Sequence, residues 1–317
     1  MNESSRPAVL RSETKPLHSS GVRSRQARLE TFHKYLFVLP ALLLFTLFVL
    51  VPLGGAVYYS FTAWDGLGEA QWTGFRNYVR AFNDSIHLRS YANISVYILG
   101  TLIAEVAFGL LLALLVAGNR PGFGVLRGLF FSPMVVSMVA AGLLWTYIYD
   151  YRTGLLNVSL RSLGLSDLVQ PWLSDPSTAM AALIAVSGWK YAGFYMIIFV
   201  AALRRIPHSL YEAAMLDGAT AFQRLTRITL PLLRETSVVA VLLCVTGGFA
   251  AFDLFFTMTN GGPFNATEIP TTWIVTQAFD RHNMGYGAAL TVIMTIVVGA
   301  VSLVYMLATR RRHTLEY

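Results

Sequence analysis

The chain contains six stretches of about 20 or more mostly apolar residues, and this feature limits its possible folds more than any other. They are Tyr35–Phe61, Ile94–Ala117, Val125–Tyr149, Thr178–Leu203, Ser237–Met258 and Tyr286–Thr309. A helix rises about 1.5 Å per residue, so about 20 apolar residues cross the hydrocarbon core of a bilayer. The sequence therefore predicts an all-α integral membrane protein with six transmembrane helices.

The composition agrees with a membrane protein. Charged residues make up 13% of the 317 residues, and the mean hydropathy is +0.54. Soluble domains carry roughly 25% charged residues. The pI near 9.6 would suit a nucleic-acid binder, but the basic residues lie between apolar runs and form no folded basic surface. We therefore expect no nucleic-acid partner.

The distribution of Lys and Arg predicts the orientation of the spans. Seventeen of these residues fall in the two tails and the second and fourth connections, whereas six fall in the other connections. Because positive residues stay in the cytoplasm, we expect both termini to be cytoplasmic in a multi-pass protein of the bacterial plasma (inner) membrane, in contact with lipid. We expect a mobile cytoplasmic tail at residues 1–33, a six-helix transmembrane domain at 34–312 and a short cytoplasmic tail at 313–317.

Motifs for nucleotide binding, metal binding and hydrolysis are missing from the sequence. No G-x-x-x-x-G-K-[ST] loop and no G-x-S-x-G motif occurs. The six His residues are scattered and do not have the spacing of metal ligands. An intramembrane enzyme would need paired carboxylates, His clusters or a Ser/His dyad within the spans, and the six apolar runs contain none of these. We therefore predict a chain that is not an enzyme and that binds no cofactor and no metal itself.

The fourth connection, Arg204–Thr236, is predicted to form two helices joined by a turn at Gly218. Pro207 suits the first position of a helix. Two residue pairs have the spacing of a capping box, namely Ser209 with Glu212 and Thr220 with Gln223. The pattern alone also fits a surface helix that lies against the inner leaflet.

The same connection resembles the EAA loop of binding-protein-dependent ABC importer permeases. The matching pattern is Glu212-Ala213-Ala214-x3-Gly218-x9-Ile228-x-Leu230-Pro231. The similarity extends over about residues 34 to 312, and it is strongest to the first of two paired permeases of the maltose/glycerol-phosphate type in the sugar-uptake branch. Further similar segments are Trp172-Leu173, Trp189-Lys190, Phe252-Asp253 and Thr259-Asn260-Gly261-Gly262-Pro263.

The resemblance implies a type I ABC importer permease that forms half of the translocation path for a sugar or sugar-like solute. Its implied partners are a second homologous permease, a dimer of ABC ATPases that binds ATP and Mg, and an extracytoplasmic solute-binding protein. The residues implied to contact the ATPase are Glu212, Ala213, Ala214, Asp217, Gly218 and Ala219. For Glu212, capping of its own helix remains an alternative. An ion-coupled secondary transporter is the alternative function, although such proteins usually show internal repeats.

Charged residues within the apolar runs are candidates for the solute path, because charges in a membrane are costly. Lys190 lies near the middle of the fourth run among hydroxyls and aromatic rings, which suit the two sides of a sugar. The resemblance places the solute site on the helices that flank the EAA loop. The candidates are Ser187, Lys190, Tyr191, Phe194, Gly248, Phe252 and Asp253. For Asp253 and for Glu105, a buried ion pair or a position at the membrane interface is the alternative.

Overall fold

The computed structural model describes residues 38–118 and 120–310. The chain divides into two compact units, Met1–Gly55 and Ala56–Tyr317. The tails predicted at residues 1–33 and 313–317 lie outside the described residues.

The described part of the first unit is helical from residue 38 and contains a π-helical turn at Thr46–Leu50. It belongs to helix α1 (Val38–Ser60), whose mean hydropathy is 2.3. Residues 38–54 are all exposed. An apolar helix without a buried face is the type of helix that contacts lipid.

Among the described residues that follow α1, the regular structure is helical apart from one small hairpin. Strands β1 (Thr62–Ala63) and β2 (Gln71–Trp72) pair antiparallel, with Thr62 opposite Trp72. The helices that follow are α2 (Arg76–Asn83), α3 (Ser85–Val116), α4 (Phe123–Val135), α5 (Met138–Ile148), α6 (Leu155–Ser162), α7 (Ala179–Leu203), α8 (His208–Leu216), α9 (Ala221–Leu232), α10 (Arg234–Phe249), α11 (Asp253–Met258), α12 (270–280) and α13 (Met284–Arg310). Short 3₁₀ turns, such as Ser166–Leu168, complete the connections.

Four helices, α1, α3, α7 and α13, are long and apolar enough to cross a membrane. Two bent pairs, α4 with α5 and α9 with α10, raise the number to six if each pair is one span. The six predicted crossings thus each have a counterpart among the described residues.

Three predicted spans differ from the helices that form. The second begins nine residues earlier than predicted, because Asp84 caps the start of α3 by accepting hydrogen bonds from the backbone N–H groups of Ile86 and His87. The third is bent by 97° where α4 ends in a 3₁₀ turn that contains Pro133. The fifth ends at Phe249, after two glycines that weaken the helix, and the residues beyond form the separate helix α11.

Helix α7 lies at the centre of the second unit, and its buried residues belong to both large apolar clusters of the core. Small residues allow its backbone to come close to its neighbours. A Cβ added to Gly188 of α7 would lie 2.8 Å from the Cβ of Ala104 in α3. Small residues at helix interfaces permit this close approach in membrane proteins. The packing holds α3, α7 and α10 around one cavity.

A polar cluster closes the predicted outer end of the second unit. The second carboxylate oxygen of Asp84 accepts hydrogen bonds from the Trp273 indole at 3.0 Å and from the Tyr286 hydroxyl at 2.8 Å. Partial burial raises the pKa of Asp84, but the hydrogen bonds it accepts outweigh burial, so its pKa lies below the ordinary value of 3.8. The charged form of Asp84 thus joins α3 to α12 and α13.

Candidate functional site: an open cytoplasmic helix and a polar cavity

Helix α8 ends in a hydrogen-bonded turn that depends on Gly218. The Ala219 N–H donates to the carbonyl of Ala214 at 2.8 Å, and the Gly218 N–H donates to the carbonyl of Met215 at 3.1 Å. This pair of bonds is a Schellman motif, which needs a left-handed residue after the helix. Gly218 adopts a φ of +76°. The predicted turn at Gly218 is therefore confirmed.

Of the two predicted capping boxes, one forms. The Thr220 hydroxyl accepts from the Gln223 N–H at 3.3 Å, and the Gln223 side chain accepts from the Thr220 N–H at 2.8 Å. The box predicted for Ser209 and Glu212 is wrong, because α8 begins two residues earlier than that box requires. Pro207 is its N-cap residue, and no side chain caps that end. The carboxylate of Glu212 instead lies 2.9 Å from Nδ1 of His208.

Helix α8 has no buried residue. Leu216 is 90% exposed, and Leu210 and Met215 are also exposed. A side-chain contact with α9 joins the Tyr211 hydroxyl to the Thr229 hydroxyl at 2.9 Å. Thr229 belongs to a π-helical turn of α9. A nine-residue helix is too short to be stable through its own helix propensity. Its exposed leucines show that it also gains little from packing within this chain.

The six residues implied to contact an ATPase lie together on α8 and in the turn that follows it. Glu212, Ala213, Asp217 and Gly218 are exposed, and Ala214 and Ala219 are half-buried. A Cβ added to Gly218 would meet no heavy atom within 4 Å. The space beside this turn is thus open.

A cavity of about 360 Å³ lies between α3, α7, α10 and α11, a size within the usual range for small-ligand sites. Six of the seven predicted path residues line it, namely Ser187, Tyr191, Phe194, Gly248, Phe252 and Asp253. The fold thus brings residues of α7 together with residues of α10 and α11, the helices that follow the loop 204–236. Asp253, at the start of α11, is exposed, and it forms no ion pair with the part of the chain that the structure describes.

Lys190 does not line this cavity. Its side chain is 3% exposed, and its ammonium donates to the carbonyl of Met134 at 3.2 Å and to the carbonyl of Val136. Both carbonyls lie where α4 bends into α5, and a bend leaves backbone carbonyls without helical partners. Lys190 therefore donates hydrogen bonds to the backbone of the bent third span.

Sequence reasoning missed the polar chain that crosses the cavity wall. The Tyr97 hydroxyl donates to the Ser187 hydroxyl at 2.9 Å, and the Ser187 hydroxyl donates to Glu105 at 2.6 Å. Glu105 has the signal of a charge within an apolar run, for which a buried ion pair or a position at the membrane interface is the alternative explanation. Across residues 38–118 and 120–310, Glu105 has no such cationic partner. Thr101, Tyr195 and Cys244 complete the polar side of the cavity.

The chain is similar over most of its length to transport proteins. The family model described as "Binding-protein-dependent transport system inner membrane component" matches residues 105–313. The probable ABC transporter permease protein YurN of Bacillus subtilis (strain 168) is 38% identical over 275 residues, which are 86% of this chain and 94% of that protein. The diacetylchitobiose uptake system permease protein NgcF of Streptomyces coelicolor is 33% identical, over 90% of this chain and 84% of that protein.

A solved structure has the same fold. The crystal structure of a bacterial ABC transporter involved in the import of the acidic polysaccharide alginate contains a chain that superimposes with a TM-score of 0.81. The sequence identity is 23%, and the match covers 92% of this chain and 100% of that chain. At this identity, the similarity establishes the fold and not the solute.

These findings confirm the predicted ABC importer permease fold and a multi-pass protein of the inner membrane. They also decide between the two predicted functions, because an ion-coupled transporter belongs to neither the matched family nor the matched fold. As a transport permease, the chain is a non-enzymatic subunit. The chain belongs to the family of inner membrane components of binding-protein-dependent transport systems.

Proposed function

We propose that this chain is one of two permease subunits of an ATP-driven importer for a sugar or sugar-like solute, and that α8 transmits ATPase movement to the spans. The observation that carries the proposal is the exposure of α8. Its exposed surface carries a small side chain at Ala213 and a large apolar side chain at Leu216. The Schellman turn fixes its C-terminal end. An exposed apolar surface on a fixed helix is typical of a protein-binding site.

The proposed solute class is supported by the relatives and by the cavity. The permease from Streptomyces coelicolor, which is 33% identical, takes part in the uptake of diacetylchitobiose, a carbohydrate. The cavity combines the hydroxyls of Tyr97 and Ser187 with the rings of Tyr191 and Phe194. Aromatic faces suit the apolar side of a sugar, and hydroxyls suit its polar edge.

The proposed complex contains a second homologous permease, two ABC ATPase subunits and an external solute-binding protein. This chain has no P-loop, so the ATPase would hold ATP and Mg. The excess of Lys and Arg places both termini and the loop 204–236 in the cytoplasm, which is the side where ATP is present. Residues 34–312 would form the permease domain between two short tails.

Purification tests this composition. We expect the tagged chain, co-expressed with the transport genes of its own operon, to purify as a complex with one other permease and two ATPase copies. The measurement is mass determination of the detergent-solubilised complex by light scattering or native mass spectrometry. Transport by a monomer reconstituted without an ATPase would contradict the proposal.

A further inference from the structure

We propose that Glu105 is a specificity-determining residue that makes the cavity favour neutral and cationic solutes and repel anionic ones. This inference rests on the proposed function, because it assumes that the solute passes through the cavity. It adds the charge class of the solute and one residue that sets it.

The backbone holds Glu105 at the cavity wall. Glu105 lies in a π-helical segment of α3, Leu102–Ala107, and lines the cavity although its side chain is 6% exposed. A π-helical segment within an α-helix frequently marks a functional site. The side chain of Glu105 is directed towards Ser187 of α7 and Cys244 of α10.

The partners of Glu105 suit an ionised carboxylate. The Ser187 hydroxyl donates to one carboxylate oxygen at 2.6 Å, and the Cys244 thiol lies 3.8 Å from the other. An ionised carboxylate accepts hydrogen bonds at both oxygens, and bonds to it are stronger than bonds between neutral groups. One oxygen of Glu105 therefore accepts from a hydroxyl, the other lies near a thiol that is also within reach of Thr101, and neither forms an ion pair with the described residues.

The charged side chains among the described lining residues of the cavity are both acidic. Glu105 and Asp253 line it, and no Lys, Arg or His is among the described lining residues. Lys190 lies in α7 beside the lining residue Tyr191. Its ammonium donates to backbone carbonyls at the bend of the third span and not to Glu105. A cleft lined by one sign of charge between low-dielectric walls focuses its field. A sugar hydroxyl or ammonium can donate to Glu105, whereas a uronate or sugar phosphate is repelled.

A reporter thiol measures this field without knowledge of the natural solute. Cys244 is the one cysteine of the chain, so Cys244→Ser removes the native thiol and keeps a donor beside Glu105. Gly247→Cys then places a thiol in the cavity, where Gly247 is exposed and an added Cβ meets no heavy atom within 4 Å. The intact complex in nanodiscs is treated with cationic and anionic methanethiosulfonates of similar size. The ratio of their rates cancels differences in thiolate fraction.

We expect Glu105→Gln to lower the ratio of cationic to anionic modification about tenfold, because one buried charge is removed from the cavity. Glu105→Asp keeps the charge and should keep most of the ratio, even if packing changes. The matched control is Asp253→Asn, which should shift the ratio less because its carboxylate is exposed to screening by salt.

An unchanged ratio in Glu105→Gln, or a larger shift in Asp253→Asn, would overturn the role of Glu105. ATP-driven uptake by the parent complex is measured in parallel and tests the proposed function by itself. Uptake with an unchanged ratio would reject the charge selection alone. A complex that lacks ATP-driven uptake would instead reject the proposed function, whatever the ratio.

Discussion

Gly218→Val is expected to leave the protein inserted in the membrane and to lower solute-stimulated ATP hydrolysis by the complex at least about tenfold, which corresponds to about 1.4 kcal/mol of coupling free energy. Gly218 has a φ of +76°, and a left-handed conformation costs a residue with a Cβ about 1–2 kcal/mol. A β-branched side chain would therefore open the Schellman turn and change the angle between α8 and α9. The measurement is ATPase activity in proteoliposomes that contain the solute-binding protein.

Gly164→Val is the matched control for this effect. Gly164 also has a positive φ, +75°, and an added Cβ there would likewise meet no heavy atom within 4 Å. It lies in the third connection, which the charge distribution predicts to be on the side opposite the cytoplasm. The two variants thus carry the same backbone strain on opposite sides of the membrane. Equal loss of ATPase stimulation in both would show that strain, and not the position on α8, causes the defect.

Gly193→Ala is expected to destabilise the protein by about 3 kcal/mol, because the added methyl group enters a packed backbone. A Cβ on Gly193 of α7 would overlap the carbonyl oxygen of Phe130 and lie 2.9 Å from the Cα of Phe131. These are backbone atoms of α4, so no side-chain rotation relieves the overlap. The midpoint of thermal unfolding in detergent should fall, with loss of the monodisperse complex.

The control for helix propensity is Gly299→Ala in α13. An added Cβ at Gly299 would meet no heavy atom within 4 Å. Alanine is favoured over glycine in a helix by up to about 1 kcal/mol, so this variant should be neutral or slightly more stable. A thermal midpoint for Gly193→Ala that equals that of Gly299→Ala would contradict the close packing of α7 against α4.

Features set by neighbouring residues were predictable from the sequence. The turn at Gly218 and the capping box of Thr220 with Gln223 depend on interactions within a few positions, and both form. The six apolar runs were equally readable, because length and hydropathy decide whether a helix can cross a bilayer. The Ser209 box failed because two local signals competed within two residues, and Pro207 prevailed.

Features that depend on distant residues could not be predicted. Lys190 and Glu105 were both charges within apolar runs, yet the sequence did not show that one meets the carbonyls of a bent span and the other faces a cavity. The bend of 97° in the third span decides the first of these placements. It arises at a 3₁₀ turn, which hydropathy does not reveal. Six of the seven path candidates line the cavity. Their helices were chosen from the family resemblance and not from the spacing of the residues.

Photo-cross-linking from α8 tests most directly whether this helix contacts the ATPase. On a Cys244→Ser background, a benzophenone reagent is attached to Ala213→Cys or Leu216→Cys, both at exposed positions, and to Phe75→Cys, which is exposed next to α2 on the predicted outer side. Illumination of the intact complex should join the ATPase subunit to this chain from both α8 positions and not from position 75. The absence of an ATPase adduct from both α8 positions, or an equal adduct from position 75, would contradict α8 as the contact between the two subunits.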